Sequence, residues 1–182
     1  MSDVALLLRA LHFAAQKHRL GKRKGRQEHP YINHPIEVAY LLTDAGEVTD
    51  PATLLAAVLH DTIEDTETTS AELEAAFGRE IRELVEELTV DKTLPKPERK
   101  RLEMEHSSSL SQRAKQIKLA DKISNVNDDA RDPPADWPLE RRRQYLDWAE
   151  QVVAGCRGCS AGLERMFDEA LAQGRLRLEA AP

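Results

Sequence analysis

The chain has 182 residues and carries 26 Lys and Arg against 32 Asp and Glu, a formal net charge of -6. That length suits one domain able to bury about 70% of its unfolded surface, so no disulfide or metal staple is needed for folding. The acidic balance argues against a general nucleic-acid binder, and no apolar run approaches the ~20 residues that a membrane-spanning helix requires. The N-terminus lacks a basic leader, because Asp3 comes early and Arg9 directly follows Leu6-Leu7-Leu8. Cys156 and Cys159 fit a reducing cytoplasm, and their C-x-x-C spacing has neither a second pair for zinc nor a βαβ context for redox work.

Taken in chain order, the elements are helical throughout, and aromatic residues make up only 4% of the chain. Ser2 can cap a first helix with Val4, Leu7, Leu8, Leu11 and Ala14 on one stripe. Pro35 reads as a first-turn proline of a helix that stops at Gly46. Asp50-Pro51 is an N-cap followed by a first-turn proline, and it opens a segment apolar on nearly all sides, the expected central helix. Thr69 and Glu72 form a capping box, Phe77-Gly78 ends that helix, and Ile81, Leu84, Val85 and Leu88 mark the next. A charged helix follows Pro95 and Pro97 to about Glu105. Ser111 caps another to about Asn125, Pro138 admits one ending at Gly155, and the last holds Leu163, Met166, Phe167 and Leu171. The expectation is an all-α single domain of about eight to nine helices over residues 1–174, with a frayed tail over 175–182.

Three places resist a plain helical bundle. His60-Asp61 and Glu64-Asp65 end the most apolar helix, where carboxylates would repel one another and oppose the helix dipole. If the helix continues, Glu64 shares a face with His60, and Asp65 with Asp61. A divalent cation would relieve that repulsion, while a solvated acidic helix end is the plain alternative. His34, before Pro35, is either a ligand or an N-cap. Asp121 lies between Ala114 and Ile117 on a largely apolar helix, either as a ligand or paired with Lys118 or Lys122. Together, two imidazoles and two carboxylates without a thiolate suit Mn²⁺ or Fe²⁺ with open positions for water. Glu64 and Asp65 remain as base and orienter. Upstream, Lys17, Arg19, Lys22, Arg23, Lys24 and Arg26 form an acid-free run that is either a solvated face or a phosphate-holding strip.

These residues resemble a known family. His60-Asp61 is the signature dipeptide of the HD superfamily of metal-dependent phosphohydrolases. The ordered strings Arg23-Lys24, Pro30-Tyr31-Ile32-Asn33-His34-Pro35, His60 to Thr66, Phe77-Gly78 and Ala120-Asp121-Lys122 with Asn125 are similar to the hydrolase domain of RelA/SpoT-type alarmone enzymes. The likeness is greatest to stand-alone small alarmone hydrolases related to the metazoan SpoT homologue. It implies His34, His60, Asp61 and Asp121 as ligands of one Mn²⁺, and Glu64 and Asp65 as the water-activating pair. It also implies Arg23, Lys24, Asn125 and Tyr145 as substrate-binding residues. The implied reaction removes the 3′-pyrophosphate of ppGpp or pppGpp to give GDP or GTP, in a cytoplasmic enzyme without a synthetase domain. NADPH, another phosphorylated-ribose nucleotide, is the alternative substrate, and a nucleotide sensor without turnover is the alternative class. Two departures stand out, Gly21 before the basic run and Ile123-Ser124 before Asn125; neither is expected to touch a ligand.

Overall fold

A computed structural model describes residues 2–180. It contains α1 (Asp3–Lys17), α2 (Asn33–Asp44), α3 (Pro51–Leu59), α4 (Thr62–Asp65), α5 (Ser70–Phe77), α6 (Arg79–Leu88), α7 (Lys96–Ser107), α8 (Gln112–Arg131), α9 (Leu139–Cys156) and α10 (Ala161–Glu179). Nine are true helices and α4 is a single four-residue turn, so the all-α expectation holds. The one β-type feature among the described residues is an isolated antiparallel bridge between Lys22 and Pro30, which closes the basic loop at its base.

The capping chemistry follows the sequence. Ser2, Asp50, Thr69 and Ser111 each accept a backbone N–H from the first turn of the helix they precede. Gly78 closes α5 and opens α6 at φ +88°, a conformation that costs glycine little. Other boundaries moved. α8 extends to Arg131, six residues past Asn125, and that extra length carries the acidic side chains that organise the basic loop. α10 passes through Gly174 to Glu179 and buries Leu178, so the expected fraying over 175–179 does not occur; residues 181–182 lie outside the described part.

Two helices form the centre. In α3, Leu55 through Leu59 are buried, and the helix packs on α1, α2, α6 and α8. α8 packs on α2, α3, α6, α9 and α10, and buries Ile117, Leu119, Ala120, Ile123 and Val126. Each such buried aliphatic side chain contributes roughly 1.5–3 kcal/mol of transfer free energy. Close helix approaches need glycine at two places. A Cβ on Gly155 would stand 1.9 Å from Ser107 Oγ, and one on Gly162 would stand 1.9 Å from the Ala45 carbonyl. The N-terminal end of α2, the C-terminal end of α3 and the middle of α8 meet around His34, His60 and Asp121.

Candidate metal centre

The expected central helix does not run on through His60. α3 ends at Leu59, and Asp61 sits at φ -95°, ψ 0°, between the main allowed regions, before the short turn α4. Consecutive residues of an unbroken helix point 100° apart. His60 itself keeps regular helical angles (φ -56°, ψ -35°), and its Nε2 lies 3.1 Å from Asp61 Oδ2. His34 is the second residue of α2 and not its cap, which is Ile32, so its ring is buried in the interior. Asp121 projects from the middle of α8 and is likewise buried.

These side chains converge. His34 Nε2 lies 3.1 Å from Asp121 Oδ1, and His60 Nε2 lies 3.8 Å from the same oxygen. His34, His60 and Asp121 form a group whose donor atoms all fall within 4.8 Å of one another. Asp61 Oδ2 is 3.6 Å from His34 Nε2, but it also accepts a 2.6 Å hydrogen bond from the Tyr31 hydroxyl. Asp61 therefore borders the three-residue group. Asp121 divides its carboxylate: Oδ1 faces the imidazoles, while Oδ2 lies 3.1 Å from Lys122 Nζ. Both alternatives for Asp121 are thus realised, one on each oxygen.

The donor set fits a divalent cation. Both Nε2 atoms are buried without a hydrogen-bond partner, although carboxylates stand within charge-pairing distance. The opposite ring nitrogens are engaged: His60 Nδ1 donates to the Ala57 carbonyl at 2.7 Å, and His34 Nδ1 lies 3.0 Å from Ser124 Oγ. Imidazole ligands are commonly oriented through their other nitrogen in this way. Burial lowers the pKa of His34. Burial also opposes charge on His60, but Asp61 and Asp121 outweigh it and raise its pKa to about 10. A positive charge among these carboxylates is what the site favours.

Glu64 and Asp65 flank the group in different surroundings. Glu64 accepts from the Val90 backbone N–H at 3.2 Å, and burial, with Asp61 adding to it, pushes its pKa up. Asp65 accepts a 2.8 Å hydrogen bond from the Tyr31 hydroxyl and pairs with Lys92. One is a carboxylate of raised basicity; the other is held by a phenol and an ammonium.

Above them lies a cleft of about 680 Å³. Of the basic run, Lys22, Arg23 and Lys24 line it, whereas Lys17 pairs with Glu72. Arg23 Nε donates to Asp128 Oδ2 at 2.8 Å and its Nη2 to Asn125 Oδ1 at 2.6 Å, while Asn125 Nδ2 donates to Asp121 Oδ1 at 2.6 Å. Asn125 thus connects the cationic loop to the metal group. Tyr145 lines the same cleft and packs against Trp137 and Trp148.

Several residues of the site escaped the sequence reading. Tyr31 bridges Asp61 and Asp65, and Lys92, Lys96, Arg99, Lys100 and Arg141 add positive charge to the cleft or its side lobe. Lys96 and Lys100 share a helix face at i, i+4, a spacing visible in the sequence. Ser124 also corrects an expectation: it does touch a candidate ligand, His34. Cys156 and Cys159 are buried, free and absent from the cleft lining, and burial pushes each thiol up to about 11.

Comparison with known proteins identifies the family. Residues 10–142 match the HD domain family model. The guanosine-3′,5′-bis(diphosphate) 3′-pyrophosphohydrolase MESH1 of Xenopus tropicalis is 52% identical over 92% of this chain and 93% of its own length. The Homo sapiens protein of the same name is 52% identical over 90% and 91%. The GTP pyrophosphokinase rsh of Brucella melitensis is 43% identical over 67% of this chain, in a match covering 16% of that protein. A solved structure of a metazoan ortholog of SpoT that hydrolyses ppGpp superposes with a TM-score of 0.90 at 46% identity, covering 93% of this chain and 95% of that one.

Proposed function

Since the chain belongs to the HD domain family, we propose that it is a Mn²⁺-dependent guanosine-3′,5′-bis(diphosphate) 3′-pyrophosphohydrolase, converting ppGpp or pppGpp to GDP or GTP and pyrophosphate. The observation that carries the mechanism is the pair of buried, unpartnered Nε2 atoms of His34 and His60 facing Asp121, beneath a cleft to which Lys22, Arg23, Lys24 and Lys92 contribute positive charge. His34, His60, Asp121 and Asp61 would hold the cation. When bound, a divalent cation supplies Lewis-acid stabilisation of phosphoryl charge and acidifies water.

The chain's own groups do the rest. Glu64, with its pKa raised by burial, is suited to take a proton from the attacking water. Asp65, fixed by Tyr31 and Lys92, is suited to orient that water. Arg23 and Lys24 offset the charge of the departing pyrophosphate from one wall. Asn125 and Tyr145 contact the nucleotide, and the aromatic wall around Tyr145 offers a surface on which a base can stack. We place this chemistry in the cytoplasm, consistent with two free cysteines; no helix among the described residues is long and apolar enough to cross a membrane.

The test is direct. Purified protein with Mn²⁺ should release pyrophosphate from ppGpp and stop on addition of EDTA. Glu64→Ala should bind Mn²⁺ yet lose about 100-fold or more in kcat, as expected when a general base is removed. His60→Ala should lose Mn²⁺ affinity itself. Phosphate release from NADPH without turnover of ppGpp would overturn the substrate assignment, and retained activity in Glu64→Ala would overturn its role as base.

A further inference from the structure

Arg23 is held differently from its neighbour in the basic loop. It has 15% of its side chain exposed, against 59% for Lys22, and its guanidinium carbon lies 5.5 Å from the centre of the Tyr31 ring. Two residues of α8, three apart on one face of that helix, take hold of it. Asp128 Oδ2 accepts from Nε at 2.8 Å, and Asn125 Oδ1 accepts from Nη2 at 2.6 Å. The Asn125 amide is kept from turning round, because its Nδ2 donates to the Asp121 carboxylate at 2.6 Å. A guanidinium is a rigid plane, with Nε and Nη2 along one edge and Nη1 at the far end. The edge is taken by α8, and among the described residues Nη1 has no hydrogen-bond partner.

We propose that Asp128 is a positioning residue for Arg23: by taking the Nε edge of the guanidinium, it leaves the Nη1 end to meet a phosphate of the substrate. By charge alone, a carboxylate on the wall of a cleft that takes a polyanion works against binding. Its contribution is direction. Without Asp128 the guanidinium keeps its charge but is free to rotate, and a fork that grips a phosphate through two parallel N–H groups depends on orientation. Asp128 lines the cleft beside Arg23, and 42% of its side chain is exposed, so it sits at the wall and not in the core. The identity of the anion rests on the function proposed above, whereas the orientation of Arg23 does not.

Charge and direction predict opposite signs. If Asp128 acted through charge, Asp128→Ala and Asp128→Asn would both remove a repulsion and raise kcat/KM for ppGpp. If it acts through direction, Asp128→Ala should lower kcat/KM about 10-fold, the loss of one charge-assisted hydrogen bond. Asp128→Asn keeps an oxygen that accepts from Nε and should stay within ~3-fold of wild type. In an Arg23→Ala background, Asp128→Ala should lower kcat/KM no further, since no guanidinium remains to orient. The substrate-free protein gives a second readout in ¹H–¹⁵N spectra. The Arg23 Nε–H should exchange slowly with water in wild type and Asp128→Asn, and fast in Asp128→Ala. Unchanged or raised kcat/KM in Asp128→Ala, an equal loss with and without Arg23, or equally fast exchange in wild type and Asp128→Ala overturns the proposal. A wild type that leaves ppGpp intact yet shows this exchange pattern upholds the orientation of Arg23 and overturns the substrate reading.

Discussion

At the scale of single residues, the site depends on buried charge that is balanced from behind. Glu103 has 16% of its side chain exposed and sits between Lys118 Nζ at 3.1 Å and Lys122 Nζ at 2.7 Å. Burial opposes its ionisation, but the two ammonium groups prevail and hold its pKa down at about 2, against 4.5 for an ordinary glutamate. A carboxyl depressed on folding stabilises the folded state above its unfolded pKa, and that stabilisation is lost as pH falls from about 4.5 toward 2. Glu103→Gln should therefore cost up to ~3 kcal/mol at pH 7, with the difference from wild type vanishing as pH approaches 2. Urea unfolding of both proteins across that range checks the sign and the size. Lys122 also lies 4.5 Å from the Trp148 ring centre, so the same ammonium joins Glu103, Asp121 and the aromatic wall. Such a partner was legible for Asp121, because a carboxylate on an apolar helix needs one. Glu103 was not, since on the charged helix α7 it looks like any other acidic residue until the fold brings α8 against it.

At the scale of elements, α8 is the organising helix. Asp121, Asn125 and Asp128 follow one another at helical spacing along it, and Asp132 caps its C-terminal end. The first faces the imidazoles, the second and third hold Arg23, and the fourth holds the backbone of the basic loop. Asp132 accepts from the Arg26 and Gln27 N–H groups at 3.1 Å each, seated where a Cβ on Gly25 would otherwise lie 2.1 Å from its Oδ2. Asp132→Ala should loosen the loop that carries Arg23 and Lys24. The KM for ppGpp should rise roughly 3- to 10-fold, as for the loss of one or two net hydrogen bonds, with Mn²⁺ affinity unchanged. Steady-state kinetics beside a Mn²⁺ titration distinguishes these effects. The helices themselves were readable from caps and stripes. The end of α8 was not, because after Val126 the residues are polar apart from Ala130, and their side chains find partners in a loop a hundred residues away and on α9. Tyr31 was hidden for a similar reason: a tyrosine in a turn carries no sign that two carboxylates will meet its hydroxyl.

For the whole molecule, net charge conceals how the charges are arranged around the cleft. The chain carries -6 overall, yet its cleft gathers lysines and arginines from the basic loop, the α6–α7 connection, α7 and α8. A polyanion should therefore be drawn to this one face, so kcat/KM for ppGpp should fall several-fold between low and physiological ionic strength, a dependence checked by a salt series at constant Mn²⁺. Only three of the six basic residues from Lys17 to Arg26 line the cleft, and lysines and arginines distant in sequence add to it; proximity in sequence was an incomplete guide to proximity in space. The break between α3 and α4 carries a consequence for how such a protein can be improved. The backbone departs from regular helix at Asp61, whose ψ of 0° sets the direction in which α4, with Glu64 and Asp65, leaves His60 and Asp61. Substitutions there that favour an unbroken helix would gain local regularity while turning Glu64 and Asp65 away from His60 and Asp61. Selection for heat tolerance alone would drift toward that straighter, inactive form, so any stabilising library must be screened for turnover at this junction.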